Sequence, residues 1–256
     1  MLGPRRDRDL ERTATAGGLI VECLLLRLDA PLMAFGGVLV DNHGIVLPYP
    51  GRSMLTGLVA NALGYRHEEA ARLNSLQARL RYAVRCDRSG RPLLDYQTVD
   101  LSQDFLSEGW TTRGAPEARE GGSSDGTHIR FRHYWADALF TVALTVDPSD
   151  AKPSLAQIAE ALRYPARPLF LGRKACLPST PLLLEVVEGE NLRSILSSAP
   201  IPEGHRSDPP PWRAWWPASE ELDAPVARRI AAYDERDWAN QIHTGRRWIV
   251  EGVVGE

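Results

Sequence analysis

Lysine, cysteine and long apolar runs are scarce in this sequence of 256 residues. The three cysteines, Cys23, Cys86 and Cys176, are far apart and form no CxxC pair, which argues against both a zinc site and a disulfide framework. No apolar segment approaches the roughly 18–20 residues that a membrane span requires. Residues 1–18 are polar and of mixed charge, so we expect a flexible lead-in there and neither a signal peptide nor an anchor. These absences predict a cytoplasmic protein with no membrane partner.

The sequence also lacks the common nucleotide-binding and hydrolase motifs. It contains no P-loop, no GxGxxG after a strand, no HExxH and no GxSxG. Its acidic residues lack the paired spacing of a two-metal nuclease, so we predict neither a metal nor another cofactor. Metal-independent RNA cleavage would require a histidine, lysine or tyrosine close to one phosphate. Candidates exist without any sign that they converge, namely His43, Tyr49, His133 and Lys174.

Positive charge is present but unevenly distributed along the chain. The net charge of −3 argues against a general nucleic-acid binder. Of the 30 basic residues, 28 are arginines, which suit bidentate phosphate contacts and base stacking, although a GC-rich genome produces the same bias. Six arginines between Arg72 and Arg91 face only Asp87, and four cations between Arg163 and Lys174 face no acid. This segregation permits a local RNA or DNA track.

Two short stretches predict anion-binding corners. In PLFLGRKACLP, Pro168–Pro178, a short buried strand breaks at Gly172, and Arg173 and Lys174 follow. The second stretch lies at the start of a predicted helix, where Arg52 and Ser53 would present a cation, a hydroxyl and free backbone N–H groups. The alternatives are an ordinary strand-to-loop corner with two solvated cations and a plain helix cap with a surface arginine.

The pattern of predicted elements indicates an α+β fold. We predict helices over Gly51–Gly64, Glu68–Leu80 and Ser154–Arg163, the last beginning with a Ser154/Gln157 capping box. The predicted strands are Ile20–Leu28, Arg81–Cys86 paired as a hairpin with Leu93–Val99, Tyr134–Val146, Leu169–Leu171, Pro181–Val187 and Arg246–Val254. This order is that of a ferredoxin-like sandwich over residues 19–187. Residues 188–256 form a less regular, β-rich C-terminal extension, whose Trp-rich stretch Pro209–Pro217 we expect to pack on the body or, if exposed, to stack on bases.

A long polar insertion interrupts the predicted sandwich at about residues 100–131. It is glycine-rich and contains Trp110, Arg113, Arg119 and Arg130, with Arg132 just beyond its end. Loops of this length inside a compact domain are uncommon and are usually functional or disordered. The insertion is therefore either a mobile surface loop or a protruding finger that grips a nucleic-acid strand or a neighbouring subunit.

Six segments in the same order resemble the CasD-type subunits of the type I-E CRISPR surveillance complex, Cascade, which belong to the RAMP superfamily of RNA-binding proteins. The similarity covers about two-thirds of the chain in RLDAPLMAFG (Arg27–Gly36), YPGRSMLTGLVANALG (Tyr49–Gly64), YAVRCD (Tyr82–Asp87), LDYQTV (Leu94–Val99), FTVAL (Phe140–Leu144) and LGRKACLP (Leu171–Pro178).

The resemblance implies a non-catalytic subunit that caps the 5′ handle of the crRNA and supports guide-directed recognition of foreign DNA. The insertion matches the family's β-hairpin thumb, which lies over the guide and packs on the adjacent backbone subunit. The large subunit is a further expected partner, and target DNA is contacted only through the guide. In the same analogy the cations at residues 52 and 173–174 meet phosphates, and Trp110 and the thumb arginines stack or wedge at the first base pairs. The alternative is a metal-independent endoribonuclease that processes precursor crRNA, as related subunits of other CRISPR subtypes do.

Overall fold

The computed structural model describes residues 20–37, 43–100, 127–201, 204–220 and 227–255, and for 108–110, 116–118 and residue 127 the backbone alone. Its helices are α1 Arg52–Ala62, α2 Ala70–Arg79, α3 Leu155–Arg163 and α4 Leu192–Ser198. Its strands are β1 Val21–Asp29, β2 Leu32–Met33, β3 His43–Gly44, β4 Leu80–Arg88, β5 Arg91–Asp100, β6 Glu108–Trp110, β7 Pro116–Ala118, β8 Thr127–Ala136, β9 Leu139–Val146, β10 Leu183–Gly189, β11 Trp212–Pro217, β12 Arg228–Ala232, β13 Glu235–Asp237, β14 Ile242–Thr244 and β15 Arg247–Val254.

A seven-stranded antiparallel sheet forms the centre of the molecule, in the order β10-β1-β9-β4-β11-β15-β12. Every residue of β9 is buried, because this strand lies inside the sheet and both of its faces are covered. Along β1 the side chains alternate between the two faces, so Leu24 and Leu26 join the core under α1, α2 and α3. Cys23 and Leu25 point the other way and pack with α4. The architecture is therefore a mixed α+β fold with helices on both faces of a mostly antiparallel sheet.

The predicted hairpin between Arg81–Cys86 and Leu93–Val99 is wrong. β4 pairs with β9 in the central sheet, whereas β5 pairs with β8 in a second sheet that also contains β2 and β3. The predicted continuous strand Tyr134–Val146 is likewise split into β8 and β9. The chain bends between β4 and β5 at Gly90, with φ 63°, and between β8 and β9 at Asp137, with φ 58°. A Cβ on Gly90 would lie 2.5 Å from the Ala136 carbonyl oxygen, so this close bend requires glycine.

The predicted helices are confirmed, with shifted starts. The expected capping box of α3 is present, and the helix buries Leu155, Ile158, Ala159 and Leu162. Ser53 is not the cap of α1, because the helix begins at Arg52 and Gly51 occupies the N-cap position. The predicted stop at Gly64 is confirmed: φ is 79°, and the Tyr65 N–H donates to the Ala60 carbonyl at 2.9 Å.

The predicted strand Leu169–Leu171 is wrong, and the C-terminal region is more regular than expected. Leu171 is fully buried, but its backbone is held by single hydrogen bonds to Ala34 and Cys176 within an irregular turn. The predicted closing strand is confirmed as β15, whereas β11 and α4 were not predicted. Trp215 and Trp216 are buried in β11, which confirms the expectation that they pack on the body. In the part of the chain that the structure describes, no helix is long and apolar enough to cross a membrane.

Candidate nucleic-acid interface

A cleft of about 480 Å³ lies between α1, the turn at residues 167–173 and the small hairpin formed by β13 and β14. Its lining contains guanidinium, imidazole and aromatic groups: Arg66, Arg167, Arg173, Arg236, His67, His243, Tyr65, Phe170 and Trp238. Among the described residues, no Asp or Glu lines it. On a chain of net charge −3, this segregation makes the cleft suited to an anionic partner with flat groups, such as single-stranded nucleic acid.

The structure brings three of the predicted site residues to this cleft. Ser53, from the start of α1, lies in the same lining as Gly172 and Arg173. Arg52 and Lys174 are outside the lining. The Arg52 guanidinium donates to the Glu235 carboxylate at 2.5 Å, whereas Lys174 is exposed. The two predicted corners therefore lie on one side of the molecule.

Gly172 is a glycine because the backbone of another segment occupies the space beside its Cα. Its φ is 95°, and a Cβ there would lie 1.8 Å from the Ala34 carbonyl oxygen. The neighbouring Leu171 carbonyl accepts a hydrogen bond from the Ala34 N–H at 3.1 Å. The positive φ thus serves the close approach of two backbone segments of the protein itself.

Arg173 connects the cleft to the second sheet. Its guanidinium donates to the His133 carbonyl at 2.8 Å and to the Gly44 carbonyl at 3.0 Å, and it stacks on the Tyr134 ring at 4.5 Å. Two of its five N–H donors are therefore used within the protein. The residue positions β3 and β8 against the turn while it contributes positive charge to the cleft.

The start of α1 is already occupied by Asp234. The Arg52 N–H donates to Asp234 Oδ2 at 2.9 Å, and the Ser53 N–H donates to the Asp234 backbone carbonyl at 2.8 Å. The expectation of free backbone N–H groups at these two residues is therefore wrong. The reason is a cap supplied by a carboxylate 182 residues away along the chain, which a local sequence pattern cannot reveal.

Asp234 is itself buried in a charged network. Arg247 donates from Nε to Asp234 Oδ1 at 2.8 Å and from Nη2 to Oδ2 at 2.7 Å, and the Tyr82 hydroxyl donates to Oδ2 at 3.0 Å. Burial raises the pKa of Asp234, but the hydrogen bonds and charge of Arg247 outweigh it and hold that pKa below its usual value. The carboxylate is therefore ionised. It fixes the hairpin of β13 and β14, which is the far wall of the cleft, to the start of α1.

That far wall contains functional candidates that the sequence analysis missed. Gln77 of α2 accepts from the Arg236 N–H at 3.1 Å and from the Trp238 indole at 3.2 Å, so both residues are held against the helices. Burial, followed by the positive charge of Arg236, lowers the pKa of His243 and favours its neutral form. The turn of this hairpin has a sequence signal, an Asp at residue 237, because Asp side chains favour turns. Asp237 accepts hydrogen bonds from the backbone N–H groups of Ala239 and Asn240.

The hairpin of β5 and β8 carries a basic face beside the cleft. Every second position along β8 is occupied by Arg130, Arg132 and Tyr134, so the three side chains lie on one face. Arg173 stacks on the Tyr134 ring on this face. No side-chain hydrogen bond or ion pair joins either guanidinium to another described residue. For Trp110 the backbone alone is described, as part of β6, and Arg113 and Arg119 lie outside the described residues.

The opposite face of this hairpin is aromatic. His43 stacks on Phe131 with ring centroids 4.8 Å apart, and Tyr96 meets Phe131 edge-on at 5.5 Å. The rings of His43 and His133 are 5.9 Å apart, which brings two of the four candidate acid–base residues together. Tyr49 is buried against Trp215, and burial raises its pKa to about 12. No cluster of three metal-ligating side chains exists within the described ranges.

Comparison with known proteins places the chain in a family. The family model described as CRISPR-associated protein (Cas_Cas5) matches residues 23–250. Over 179 residues the chain is 31% identical to the CRISPR system Cascade subunit CasD of Escherichia coli (strain K12), which covers 70% of this chain and 77% of that protein.

Two solved structures agree with this match. A chain of a CRISPR RNA-guided surveillance complex is similar with a TM-score of 0.64 and 26% identity, covering 91% of this chain and 90% of that one. A structure described as a crystal structure of Cas protein has a TM-score of 0.54 and 25% identity, covering 91% of this chain and 95% of that one. The resemblance to CasD-type subunits is thus confirmed, and the chain belongs to the Cas5 family of CRISPR-associated proteins.

Proposed function

We propose that this chain is a subunit of a Cascade-type CRISPR surveillance complex and binds the 5′ handle of the crRNA in the cleft beside α1. In this function the protein holds the RNA and performs no chemistry on it. No metal or other cofactor takes part. Pairing of the guide, and not this chain, selects the DNA target.

The observation that carries this proposal is the composition of the cleft. Four arginines and three aromatic residues converge there from three separate segments of the chain, and no described acidic residue lines the cleft. Bent single-stranded RNA is bound by cations along its backbone and by side chains that stack on unpaired bases. The cleft offers both kinds of group, and Arg173 continues its positive charge onto the hairpin face that carries Arg130 and Arg132.

The finer assignments of the fold belong to the same proposal. The sheet order β10-β1-β9-β4, with helices after β1 and β9, supports a ferredoxin-like core. The ten-residue strands β5 and β8, which enclose residues 101–126, support a thumb at the predicted insertion. We place the guide beneath this thumb and the adjacent backbone subunit against it. Trp110, Arg113 and Arg119 would act there, while Lys174 lies beside Arg173 at the edge of the cleft.

Removal of exposed cleft arginines tests the proposal. Arg66 and Arg167 are exposed, Arg66 donates no side-chain hydrogen bond to a described residue, and Arg167 donates one, to the Tyr65 carbonyl. Their loss should therefore leave the fold intact. We expect Arg66→Ala plus Arg167→Ala to weaken binding of an RNA that carries the repeat-derived 5′ segment. The slope of log Kobs against log salt should fall by roughly 0.7 for each lost phosphate contact. Fluorescence anisotropy over a salt series measures both quantities.

A control variant removes one charge outside the lining of the cleft. Arg228→Ala on the edge strand β12 leaves Glu251 paired with Arg213, and its affinity and salt slope should equal those of the unaltered protein. A scrambled RNA of the same length should bind more weakly than the repeat-derived RNA. If the double variant kept full affinity and slope, the cleft would not be the RNA site.

A second candidate function rests on the proximity of His43 and His133. Two imidazoles with ring centroids 5.9 Å apart are a suitable pair for metal-independent cleavage of RNA. Incubation of the purified protein with repeat RNA in the presence of a chelator distinguishes the two functions. Site-specific cutting that is abolished by His43→Ala or Lys174→Ala would favour the endoribonuclease.

A further inference from the structure

We propose that Tyr65 is a stacking platform for one unstacked base of the bound RNA, and that Arg72 positions its ring. This inference rests on the proposed function, because it assigns a place to a single nucleotide within the same cleft. The site would take any base by its flat face, and we expect it to select by position along the strand more than by base identity.

The ring of Tyr65 is covered on one face by Arg72, and the residue lines the cleft. The Arg72 guanidinium lies 3.8 Å from the ring centroid, and Arg72 in turn forms an ion pair with Glu69 one turn away on the same helical segment. Tyr65 lines the cleft, whereas Arg72 does not. In the proposed arrangement, the face of the ring opposite Arg72 is the one that a base meets.

The backbone also fixes the ring in place. Tyr65 follows the positive-φ residue Gly64 at the end of α1, and its N–H donates to the Ala60 carbonyl at 2.9 Å. Its carbonyl accepts a hydrogen bond from the Arg167 guanidinium. A ring that is already held on one face and at both backbone groups loses little freedom when a base stacks on it.

Positive charge surrounds this platform on the cleft side. Arg66 is the next residue, Arg167 is bonded to the Tyr65 carbonyl, and His67 lines the same rim. A base stacked on Tyr65 would place its own phosphate within reach of two guanidinium groups. Stacking and phosphate contact at one nucleotide are the two components of sequence-tolerant binding to single strands. The arrangement therefore fits one splayed nucleotide of the handle.

A chemical double-mutant cycle tests the platform. The probe is an RNA with the repeat-derived 5′ segment, in which an abasic nucleotide replaces each handle position in turn. The unaltered protein should lose roughly 5- to 150-fold in affinity at one position, the range expected for a single base–aromatic stack. Tyr65→Leu should bind the intact RNA with a similar loss, and the abasic nucleotide at that position should cost this variant nothing more.

Tyr65→Phe is the matched control, because it keeps the ring and should bind like the unaltered protein. Tyr164→Ala, at a tyrosine outside the cleft with 76% of its surface exposed, should also leave affinity unchanged. Melting temperatures identify a variant that has lost its fold, and Tyr65→Leu retains apolar bulk to limit that loss.

The outcomes separate this inference from the function on which it rests. If Tyr65→Leu bound as tightly as the unaltered protein, or if its loss multiplied with that of every abasic position, the platform would be wrong. The variant Arg66→Ala plus Arg167→Ala would still test whether the cleft binds RNA. If the unaltered protein showed no preference for the repeat-derived RNA over a scrambled strand, both proposals would be overturned.

Discussion

Two glycines near the cleft owe their identity to space that distant parts of the chain occupy. A Cβ on Gly51 would lie 2.9 Å from the Asp234 Cβ, and a Cβ on Gly172 would lie 1.8 Å from the Ala34 carbonyl oxygen. The first contact lets a carboxylate reach the start of α1, and the second holds the turn that carries Arg173. At the scale of single residues, the cleft therefore depends on two glycines that allow close packing as well as on its cations.

Gly172→Ala tests this point. The alanine would combine a φ of 95° with a contact that cannot persist, so the turn or the Ala34 segment must move. We expect the free energy of unfolding to fall by at least about 1–3 kcal/mol, measured by urea denaturation. Gly36→Ala is the control, since a Cβ added at residue 36 would meet no atom within 4 Å and the φ of this residue is not positive. Equal stability of the two variants would contradict the packing argument.

Helix α1 obtains its N-terminal cap from another element. Gly51 has no side chain to cap the helix, and the carboxylate of Asp234 takes its place while also binding Arg247 and Tyr82. The same residue leads into β13, which is part of the far wall of the cleft. One buried charge thus joins the start of α1 to the hairpin of β13 and β14.

We expect Asp234→Ala to lower the free energy of unfolding by about 3–5 kcal/mol, because it leaves Arg247 buried without its partner. Asp234→Asn keeps the size and one acceptor and should lose less. RNA affinity should also fall, because the hairpin of β13 and β14 is no longer fixed to α1. Chemical denaturation measures the stability, and fluorescence anisotropy measures the affinity. Glu235→Gln, which alters the neighbouring half-buried carboxylate, is the control and should lower stability less than Asp234→Ala does.

The pH dependence of this contribution has a definite sign. The pKa of Asp234 is lower in the folded protein than the value of about 3.9 for an unfolded Asp. Its stabilisation is therefore fully present above about pH 4 and is lost as pH falls through the folded pKa. The difference in unfolding free energy between the unaltered protein and Asp234→Asn should be constant from pH 5 to 8 and shrink below pH 4. A difference that grew on acidification would contradict the network.

At the scale of the whole molecule, the C-terminal extension completes the central sheet. β11 pairs with β4, and β15 and β12 extend the sheet beyond it, so residues 188–256 supply three of its seven strands. Arg85 of β4 joins the two parts on the face under α4. It is fully buried, pairs with Asp87 at 2.5 Å, and donates to the Leu196 and Ala199 carbonyls at the end of α4.

We expect Arg85→Ala to lower the free energy of unfolding by about 3–5 kcal/mol, because Asp87 would remain buried with only Thr141 as a side-chain partner. The carbonyls at the end of α4 would lose their donor in the same variant. Denaturation followed by fluorescence, which reports on Trp212 stacked beside Arg85, measures the loss. Arg91→Ala, at an exposed position of β5, should change stability little. A loss confined to α4, with the sheet unaffected, would show that the two parts unfold separately.

The sequence by itself determined most of the helices, five of the strands and the positions of the glycine-bent turn and the basic segments. Apolar periodicity, capping residues and turn residues are local signals, and they suffice wherever neighbouring residues decide the conformation. The motifs that resemble CasD-type subunits are also read along the chain, and they indicated the family.

Only the tertiary structure decided which strands pair, what caps α1 and which residues share the cleft. β4 and β5 follow each other closely yet enter different sheets, since the choice depends on their partners β9 and β8, which come much later in the chain. Arg236, Trp238 and His243 reach the cleft because Asp234 fixes their hairpin to a helix that lies 182 residues earlier in the chain. Pairing, burial and charge neutralisation act between segments brought together by folding, so no local pattern contains them.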